Sequence, residues 1–228
     1  MKIINPSVTL EDEIDSQRIM KKIERIGRVC YKSEGNINEE SAEKFISNII
    51  NRNHVSVIEH ESISVRIICD RGVTHEIVRH RVASYAQESQ RYCNYSKDKY
   101  DNQVSFIDIK GGIDLDLAMN SALNNGTLNK DKINDIINEW EEACKDAEKH
   151  YLNLSKLGAS PNIARSVLPN SVKTEINVRM DIREWRHFFS LRCEDVAHPQ
   201  MREIAKPLLK EMAKRYPIFF KDLADKLL

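Results

Sequence analysis

Hydrophobic residues recur at helical spacing in two stretches near the start of the chain. The first runs from about residue 15 to residue 30 and the second begins at residue 38, and each presents one apolar stripe. From Ser62 to Asp70 the period changes to two, which predicts a strand with one buried face. Residues 70–74 are typical of a turn into another helix. The pattern therefore predicts two amphipathic helices, a strand and a third helix.

A longer amphipathic pattern occupies the second half of the chain. Residues 133–154 hold one apolar stripe, and Gly158 suits the C-terminal cap of that helix. Ser160 and Pro161 then supply an N-cap and a first-turn proline for a short helix. The helical pattern returns from residue 200, where we expect Pro207 to produce a kink or to mark the first turn.

Between residues 101 and 131 the composition changes to Asn, Gly, Asp and Lys, apart from a strand-like run at 104–109. Such a segment is typical of an insertion that varies among relatives. We predict one domain over residues 1–228 with this insertion inside it.

The composition, 41% hydrophobic and 31% charged, is ordinary for a globular protein of 228 residues. No apolar run approaches the roughly 20 residues that span a bilayer, and the first residues lack the apolar stretch of a secretory signal. We therefore expect a cytoplasmic protein. The 35 basic and 35 acidic residues cancel, so an anion must be bound by a local cluster. Neither nucleic acid nor a membrane is an expected partner.

Cysteine and histidine give no sign of a metal site. The five cysteines are scattered without a CxxC pair, which indicates reduced packing residues. His75 and His80 are five residues apart in HEIVRH, about 140° round a helix, and cannot readily share one ion. A zinc hydrolase is thus the weakest alternative. His54 and His60, taken alone, are more typical of histidines with backbone partners than of catalytic ones.

The densest group of hydrogen-bond donors lies at Arg79-His80-Arg81, followed after seven residues by Ser89 and then Arg91. Guanidinium forks and hydroxyls at this density suit phosphate and carbonyl oxygens. On a helix, Arg79 and Arg81 would point about 200° apart, toward two ligands or toward one ligand and one carboxylate. The alternative is a solvated basic face with ordinary surface ion pairs.

A third group lies in the last third of the chain, around the apolar face of Trp185 and Phe188. Arginines next to large apolar residues are held rigidly, so the guanidinium fork can face a planar ligand. An aromatic stripe that only fills the core is the simpler alternative, but it explains the arginines less well. The polar residues of this group, with Arg165 ahead of it, are Asp181, Arg183, Arg186, His187 and Arg192.

These groups, in this order, resemble the flavin-dependent thymidylate synthases, the ThyX family. The family pattern of RHR, seven residues and Ser matches Arg79 to Arg81 and Ser89. The other elements that match in register are His54, Ser56, Glu59 and His60 upstream, Ala164, Arg165, Leu168 and Pro169 downstream, and Trp185, His187, Phe188, Leu191 and Arg192 after them. The resemblance covers nearly the whole chain and is weakest at residues 101–131.

The resemblance implies an α/β (α+β) fold of the ThyX type, in which a central, mostly antiparallel sheet packs against long helices. It implies a homotetramer with sites at subunit interfaces. The implied reaction is the reductive methylation of dUMP to dTMP, with FAD as cofactor, 5,10-methylenetetrahydrofolate as one-carbon donor and NADPH or NADH as reductant. Hydride passes from the flavin to the uracil ring without a cysteine nucleophile, which agrees with cysteines that have no activating context.

Site residues follow from the resemblance position by position. The residues implied for dUMP are Glu76, Arg79, Gln87, Ser89, Gln90, Arg91, Arg165 and Arg192. Those implied for FAD are Ser56, Arg79, His80, Arg81, Gln87, Asp181, Arg183 and His187, with His54 near the flavin and folate. Arg192 is the implied catalytic residue, which polarises the uracil ring. Two residues depart from the family: Gln87 replaces the Glu of many members, and Asp181 replaces the Asn.

The alternative from another class is a non-catalytic nucleotide- or RNA-binding module that uses Arg79, Arg81 and Arg91. It would bind nucleic acid with steep salt dependence and without flavin. Zero net charge and the lack of a basic stripe studded with aromatic residues disfavour it.

Overall fold

A four-stranded antiparallel sheet forms the centre of the structure, a computed structural model that describes residues 1–13, 15–115 and 130–228. A separate parallel pair joins β1 (Lys2–Ile4) to β5 (Ser105–Ile107). The strand order of the central sheet is β2 (Ser7–Leu10), β3 (Ser62–Asp70), β6 (Lys173–Asp181) and β4 (Ala83–Gln87). The predicted mostly antiparallel sheet is confirmed.

Strands β3 and β6 pair along their full length, from Ser62 opposite Asp181 to Asp70 opposite Lys173. Alternate side chains of β3 are buried, so one face of the sheet lies in the core and the predicted strand is confirmed with its bounds. Sequence analysis did not identify β6, although its buried positions follow the same period. These positions are Thr174, Ile176, Val178 and Met180.

The two predicted opening helices are α1 (Ser16–Val29) and α2 (Ser41–Asn51). Asp15 caps α1, since its carboxylate accepts a hydrogen bond of 3.0 Å from the Gln17 amide. The turn predicted over residues 70–74 is shorter in the structure, because α3 (Arg71–Ile77) begins directly after β3. The remaining helices are α4 (Lys130–Lys156), α5 (Pro161–Ala164), α6 (Ile182–Arg192), α7 (Pro199–Arg215) and α8 (Pro217–Leu227).

Helix ends agree with the sequence except at one proline. Gly158 follows α4 with φ of +90°, a conformation that favours glycine. Ser160 precedes α5 and Pro161 opens it, although the serine side chain makes no capping hydrogen bond. Pro207 lies inside α7 and Pro199 marks its start, so of the two alternatives for Pro207 the first-turn position is excluded. Because Pro207 has no N–H, α7 lacks one hydrogen bond of its ladder at that point.

One core fills the space between the sheet and the helices, and the aromatic stripe of α6 lies within it. Trp185 is fully buried, and its indole nitrogen donates a 2.9 Å hydrogen bond to the Ile63 carbonyl of β3. The rings of Phe188 and Phe189 pack against it at centroid distances of 5.4 and 5.9 Å. This stripe therefore fixes α6 on the sheet. The polar side chains of α6 lie on another face of the helix, where they can contribute to a site.

A second buried cluster lies under α4 and includes Val104 and Phe106. The strand-like run is confirmed as β5, at Ser105–Ile107 rather than 104–109. The part of the predicted insertion at residues 116–129 lies outside the described residues. Over the described ranges, no helix is both long enough and apolar enough to cross a membrane.

Candidate active site

The RHR element lies in the loop between α3 and β4, not on a helix. Helix α3 ends at Ile77, so the helical angle considered for Arg79 and Arg81 does not apply. The hydroxyl of Tyr85 lies 2.9 and 2.5 Å from the carbonyls of Ile77 and His80, which share its single proton, and this contact stabilises the helix end and the loop. Arg79 and Arg81 are exposed, and their side chains form no hydrogen bond or ion pair with the described residues.

Arg192, the last residue of α6, binds two residues that α3 and this loop supply. Its Nε donates to His80 Nε2 at 3.2 Å. The two terminal nitrogens donate to Glu76, one to the carboxylate at 3.0 Å and one to the main-chain carbonyl at 3.1 Å. A guanidinium has five N–H donors, so these bonds hold its plane fixed and leave two donors for a ligand.

His80 is buried between Arg192 and Glu184. Its Nδ1 lies 3.0 Å from Glu184 Oε1. Because Arg192 can only donate, Nε2 of His80 accepts and Nδ1 carries the proton. Burial lowers the pKa of His80, the hydrogen bond to Glu184 opposes this, and the charge of Arg192 lowers the pKa further. The histidine is therefore a neutral link between the loop and α6.

Glu184 is the residue of this group that sequence analysis missed. Asp181 caps α6, and its carboxylate accepts a 2.8 Å hydrogen bond from the Glu184 amide. An N-cap residue followed three positions later by Glu is the spacing of a capping box, and that signal was present in the sequence. The Glu184 side chain instead turns to His80. Burial raises the pKa of Asp181, and the nearby carboxylate of Glu59 adds to this effect.

A cleft of about 430 Å³ opens beside these residues. Its lining includes Asp181, Arg183 and His187, three residues implied for FAD. Arg183 pairs with Glu59, which belongs to the same 3-10 turn (Val55–His60) as the exposed Ser56. The structure therefore brings three of the eight residues implied for FAD to this cleft, and Ser56 belongs to the turn that contributes Glu59 to the lining.

His54 precedes that turn and is exposed. Its Nδ1 lies 3.5 Å from the hydroxyl of Tyr31. This contact orients the imidazole only weakly, since 3.5 Å is long for such a hydrogen bond. His54 is therefore accessible to a ligand, as the resemblance implies.

The residues implied for dUMP after β4 form a second group. Ser89 opens a turn in which its hydroxyl accepts a 3.3 Å bond from the Arg91 amide. The Nε of Arg91 donates to Asn162 on α5 at 3.0 Å, three residues before Arg165. Within the described ranges, no hydrogen bond or ion pair joins this group to Arg192. Helix α3 nevertheless contacts both groups, because Glu76 binds Arg192 and Arg71 donates a 3.5 Å hydrogen bond to the carbonyl of Glu88, next to Ser89.

Comparisons with known proteins identify the family of this chain. The Thy1 family, described as thymidylate synthase complementing protein, matches residues 14–218. A protein of Pyrococcus furiosus named flavin-dependent thymidylate synthase is 32% identical over 78% of this chain and 66% of its own length. One of the same name from Geobacter sulfurreducens is 33% identical over 86% of this chain and 78% of its own. The chain belongs to the flavin-dependent thymidylate synthase family. It spans slightly less than two thirds of the Pyrococcus relative.

A solved structure supports the fold of this flavin-dependent thymidylate synthase family member. It is that of the UMP/dUMP methylase PolB from Streptomyces cacaoi bound with 5-Br dUMP. The two share 23% identity and a TM-score of 0.74, over 97% of this chain and 96% of that one. The predicted ThyX-type fold is confirmed.

The side-chain amides of Gln87 and Gln90 in this family member differ in their hydrogen bonds. The Nε2 of Gln87 donates to the hydroxyls of Thr74 and Thr174 at 3.1 and 3.2 Å, so only its oxygen remains for a ligand. Gln90 is 6% exposed, and its Nε2 has no partner within the part of the chain that the structure describes. A buried amide without a partner is costly, so a ligand that accepts this hydrogen bond would be favoured.

The spacing of His80, Glu184 and His187 would also admit a metal ion, since their ligand atoms lie within 4.8 Å of one another. Both nitrogens of His80 already have partners, however, and one of them is Arg192. An ion on Nε2 would have to displace Arg192, and an ion on Nδ1 would have to replace the proton that faces Glu184. His75, the other histidine of HEIVRH, is exposed and does not belong to this group.

The cysteines of this family member are free, and three of them are buried. Burial raises the pKa of Cys69 and Cys144, and that of Cys193 to about 12. Cys193 follows Arg192 directly, yet its thiol is protonated at neutral pH and is a poor nucleophile.

Proposed function

We propose that this chain catalyses the reductive methylation of dUMP to dTMP, with FAD, 5,10-methylenetetrahydrofolate and NADPH or NADH. The observation that carries the proposal is the bonding of Arg192 to Glu76 and His80. It joins the RHR element to the arginine that the resemblance implies at the uracil ring. Family membership supports the reaction class.

The residues that would hold FAD fit a large, anionic and partly planar cofactor. Arg79 and Arg81 are exposed without partners among the described residues and can each direct a guanidinium fork at a phosphate. His187 and Arg183 line the adjacent cleft and can pack against rings or donate to them. Bound FAD would supply the hydride that the pyrimidine C6 receives, so no enzyme thiol has to attack there.

The residues proposed for dUMP divide between its two ends. Ser89, Arg91 and Arg165 offer the hydroxyl and guanidinium donors that a phosphate dianion needs. The two unused donors of Arg192 face the uracil and stabilise negative charge on its ring. Neutral His80 places no second positive charge beside Arg192, which pairs with the Glu76 carboxylate. Arg192 is thus the proposed catalytic residue, while His80 and Glu76 fix its plane.

We further propose that the active protein is a homotetramer with its sites at subunit interfaces. The resemblance to the family, which implies a homotetramer, supports this. Apolar residues are also exposed beside the site: Val78 is 41%, Val82 63% and Leu191 48% exposed. Exposed apolar surface at such a place is typical of an interface.

The proposal is tested by incubating the purified protein with dUMP, FAD, the methylene-folate and NADPH, and by detecting dTMP with mass spectrometry. We expect dTMP only when all four are present, and more than one subunit per particle in light scattering. A protein without flavin that binds RNA with steep salt dependence would instead support the nucleic-acid-binding alternative.

A further inference from the structure

The carboxylate of Glu88 connects the two ends of the loop that carries Ser89 and Arg91. The side chain of Glu88 is 14% exposed. Its Oε1 accepts a 2.9 Å hydrogen bond from the hydroxyl of Tyr95, at the other end of the loop. Its Oε2 accepts a 2.8 Å hydrogen bond from Lys173, the first residue of β6. Glu88 therefore connects both ends of the loop to the central sheet.

The far end of the loop is fixed in the cluster under α4. Tyr95 is 6% exposed, and its amide donates a 3.1 Å hydrogen bond to the hydroxyl of Tyr151. Its ring packs against those of Tyr100 and Tyr151 at centroid distances of 5.3 and 5.8 Å. Burial raises the pKa of Tyr95, and the charge of Glu88 adds to this, so the phenol remains a hydrogen-bond donor.

We propose that Glu88 is a positioning residue, which holds the loop of residues 88–95 in the conformation that binds the phosphate of dUMP. This inference rests on the proposed function, because it takes Ser89 and Arg91 as dUMP residues. In this proposal Glu88 acts through Tyr95 and Lys173, from which its two oxygens accept hydrogen bonds, and not on the substrate itself.

The physical reason is the cost of ordering the loop. A loop that is already held in its binding conformation loses little entropy when the ligand binds, and this difference appears as affinity. The Glu88 bonds join residues 7 and 85 positions apart in sequence, so they constrain the loop both internally and against the sheet. One charge-assisted hydrogen bond of this kind corresponds to roughly a tenfold change in affinity.

The experiment compares Glu88→Ala, Glu88→Gln and Tyr95→Phe with the wild-type FAD-loaded enzyme. The readouts are the KM for dUMP, kcat at saturating dUMP, the Kd of dUMP by calorimetry, FAD content and the thermal midpoint. Glu175→Gln is the matched control: its carboxylate lies 3.7 Å from Lys173 on β6, but its side chain makes no bond to the loop.

We expect Glu88→Ala to raise the KM and Kd of dUMP roughly tenfold, with kcat and FAD content retained. Tyr95→Phe should have a smaller effect in the same direction, because it removes one hydrogen bond and keeps the ring. Glu88→Gln should restore part of the affinity, since its amide oxygen still accepts from Tyr95. Glu175→Gln should bind dUMP as the wild type does.

An unchanged Kd for dUMP in Glu88→Ala would overturn the inference and leave the proposed function intact. Equal losses of kcat and FAD content would also overturn it, since they would show a general structural role. If Glu88→Ala does not fold, the Kd of Tyr95→Phe decides: a wild-type value refutes the positioning role. Failure of the wild-type protein to bind dUMP would instead refute the proposed function itself.

Discussion

Replacing Arg192 with alanine separates the catalytic role of this arginine from its structural role. The substitution removes two hydrogen bonds to Glu76 and one to His80. Hydrogen bonds to charged groups contribute about 1.5–3 kcal/mol each when well shielded. The Arg192 and Glu76 side chains are 20% and 33% exposed, so solvent screens the pair and we expect a total loss of about 2 kcal/mol. For a protein of this size that loss lowers the thermal midpoint by roughly 4–8 °C.

The matched control is Arg186→Ala on the same helix. Arg186 is 16% exposed and binds both carboxylate oxygens of Asp222, at 2.7 and 2.6 Å, on α8. Its removal should lower the thermal midpoint by a similar amount without touching the site. Thermal unfolding and initial rates of dTMP formation, with FAD content as a check, are measured on both variants.

We expect Arg192→Ala to form dTMP roughly 100- to 1000-fold more slowly, as is typical when a group that stabilises developing charge is removed. Arg186→Ala should keep a rate near that of the wild type below its thermal midpoint. If both variants lose activity in proportion to their thermal midpoints, Arg192 stabilises the fold and is not catalytic. A normal rate in Arg192→Ala would refute the assignment directly.

Three further predictions concern protonation, capping and thiols. Burial lowers the pKa of His80, so the unfolded state binds more protons at this residue than the folded state does. The free energy of unfolding, measured in urea, should therefore fall as the pH drops below roughly 6.5. In His80→Asn this fall should be smaller. An equal pH dependence in both proteins would contradict the neutral state of His80. Asp181→Ala removes the cap of α6 and should cost about 1 kcal/mol in urea unfolding, whereas Asp181→Asn should cost little; equal costs would contradict the capping role. Cys193→Ala and Cys93→Ala should keep kcat for dTMP formation, and a loss of roughly tenfold or more would indicate a thiol nucleophile.

Periodicity alone did not decide which strands could be predicted, because β3 and β6 both bury alternate side chains and only β3 is predicted from the sequence. The alternation of Ile63 to Cys69 predicts β3 to the residue, because the sheet buries one of its faces. The RHR segment is different: hydrogen bonds from Tyr85 to the preceding carbonyls help to end α3 before Arg79, and no local spacing shows them.

The site could be predicted only as far as the resemblance reaches. It names Arg192, Glu76 and His80, but it does not show that they touch, because Arg192 and Glu76 are 116 positions apart in sequence. Glu184 differs, because its capping-box spacing from Asp181 is visible in the sequence but its contact with His80, 104 positions away, is not. The hydrogen bonds of single side chains could not be predicted either. Gln87 and Gln90 are the same residue type, yet among the described residues only the amide nitrogen of Gln87 has hydrogen-bond partners.

The visible absorption spectrum tests the central claim most directly. The FAD-loaded protein is reduced with dithionite in the absence of oxygen, and dUMP and methylenetetrahydrofolate are then added singly and together. The account predicts that the flavin absorption bleaches on reduction and returns, with formation of dTMP, only when both substrates are present. A protein that remains colourless after incubation with FAD, or a flavin whose reoxidation is independent of dUMP, would contradict it.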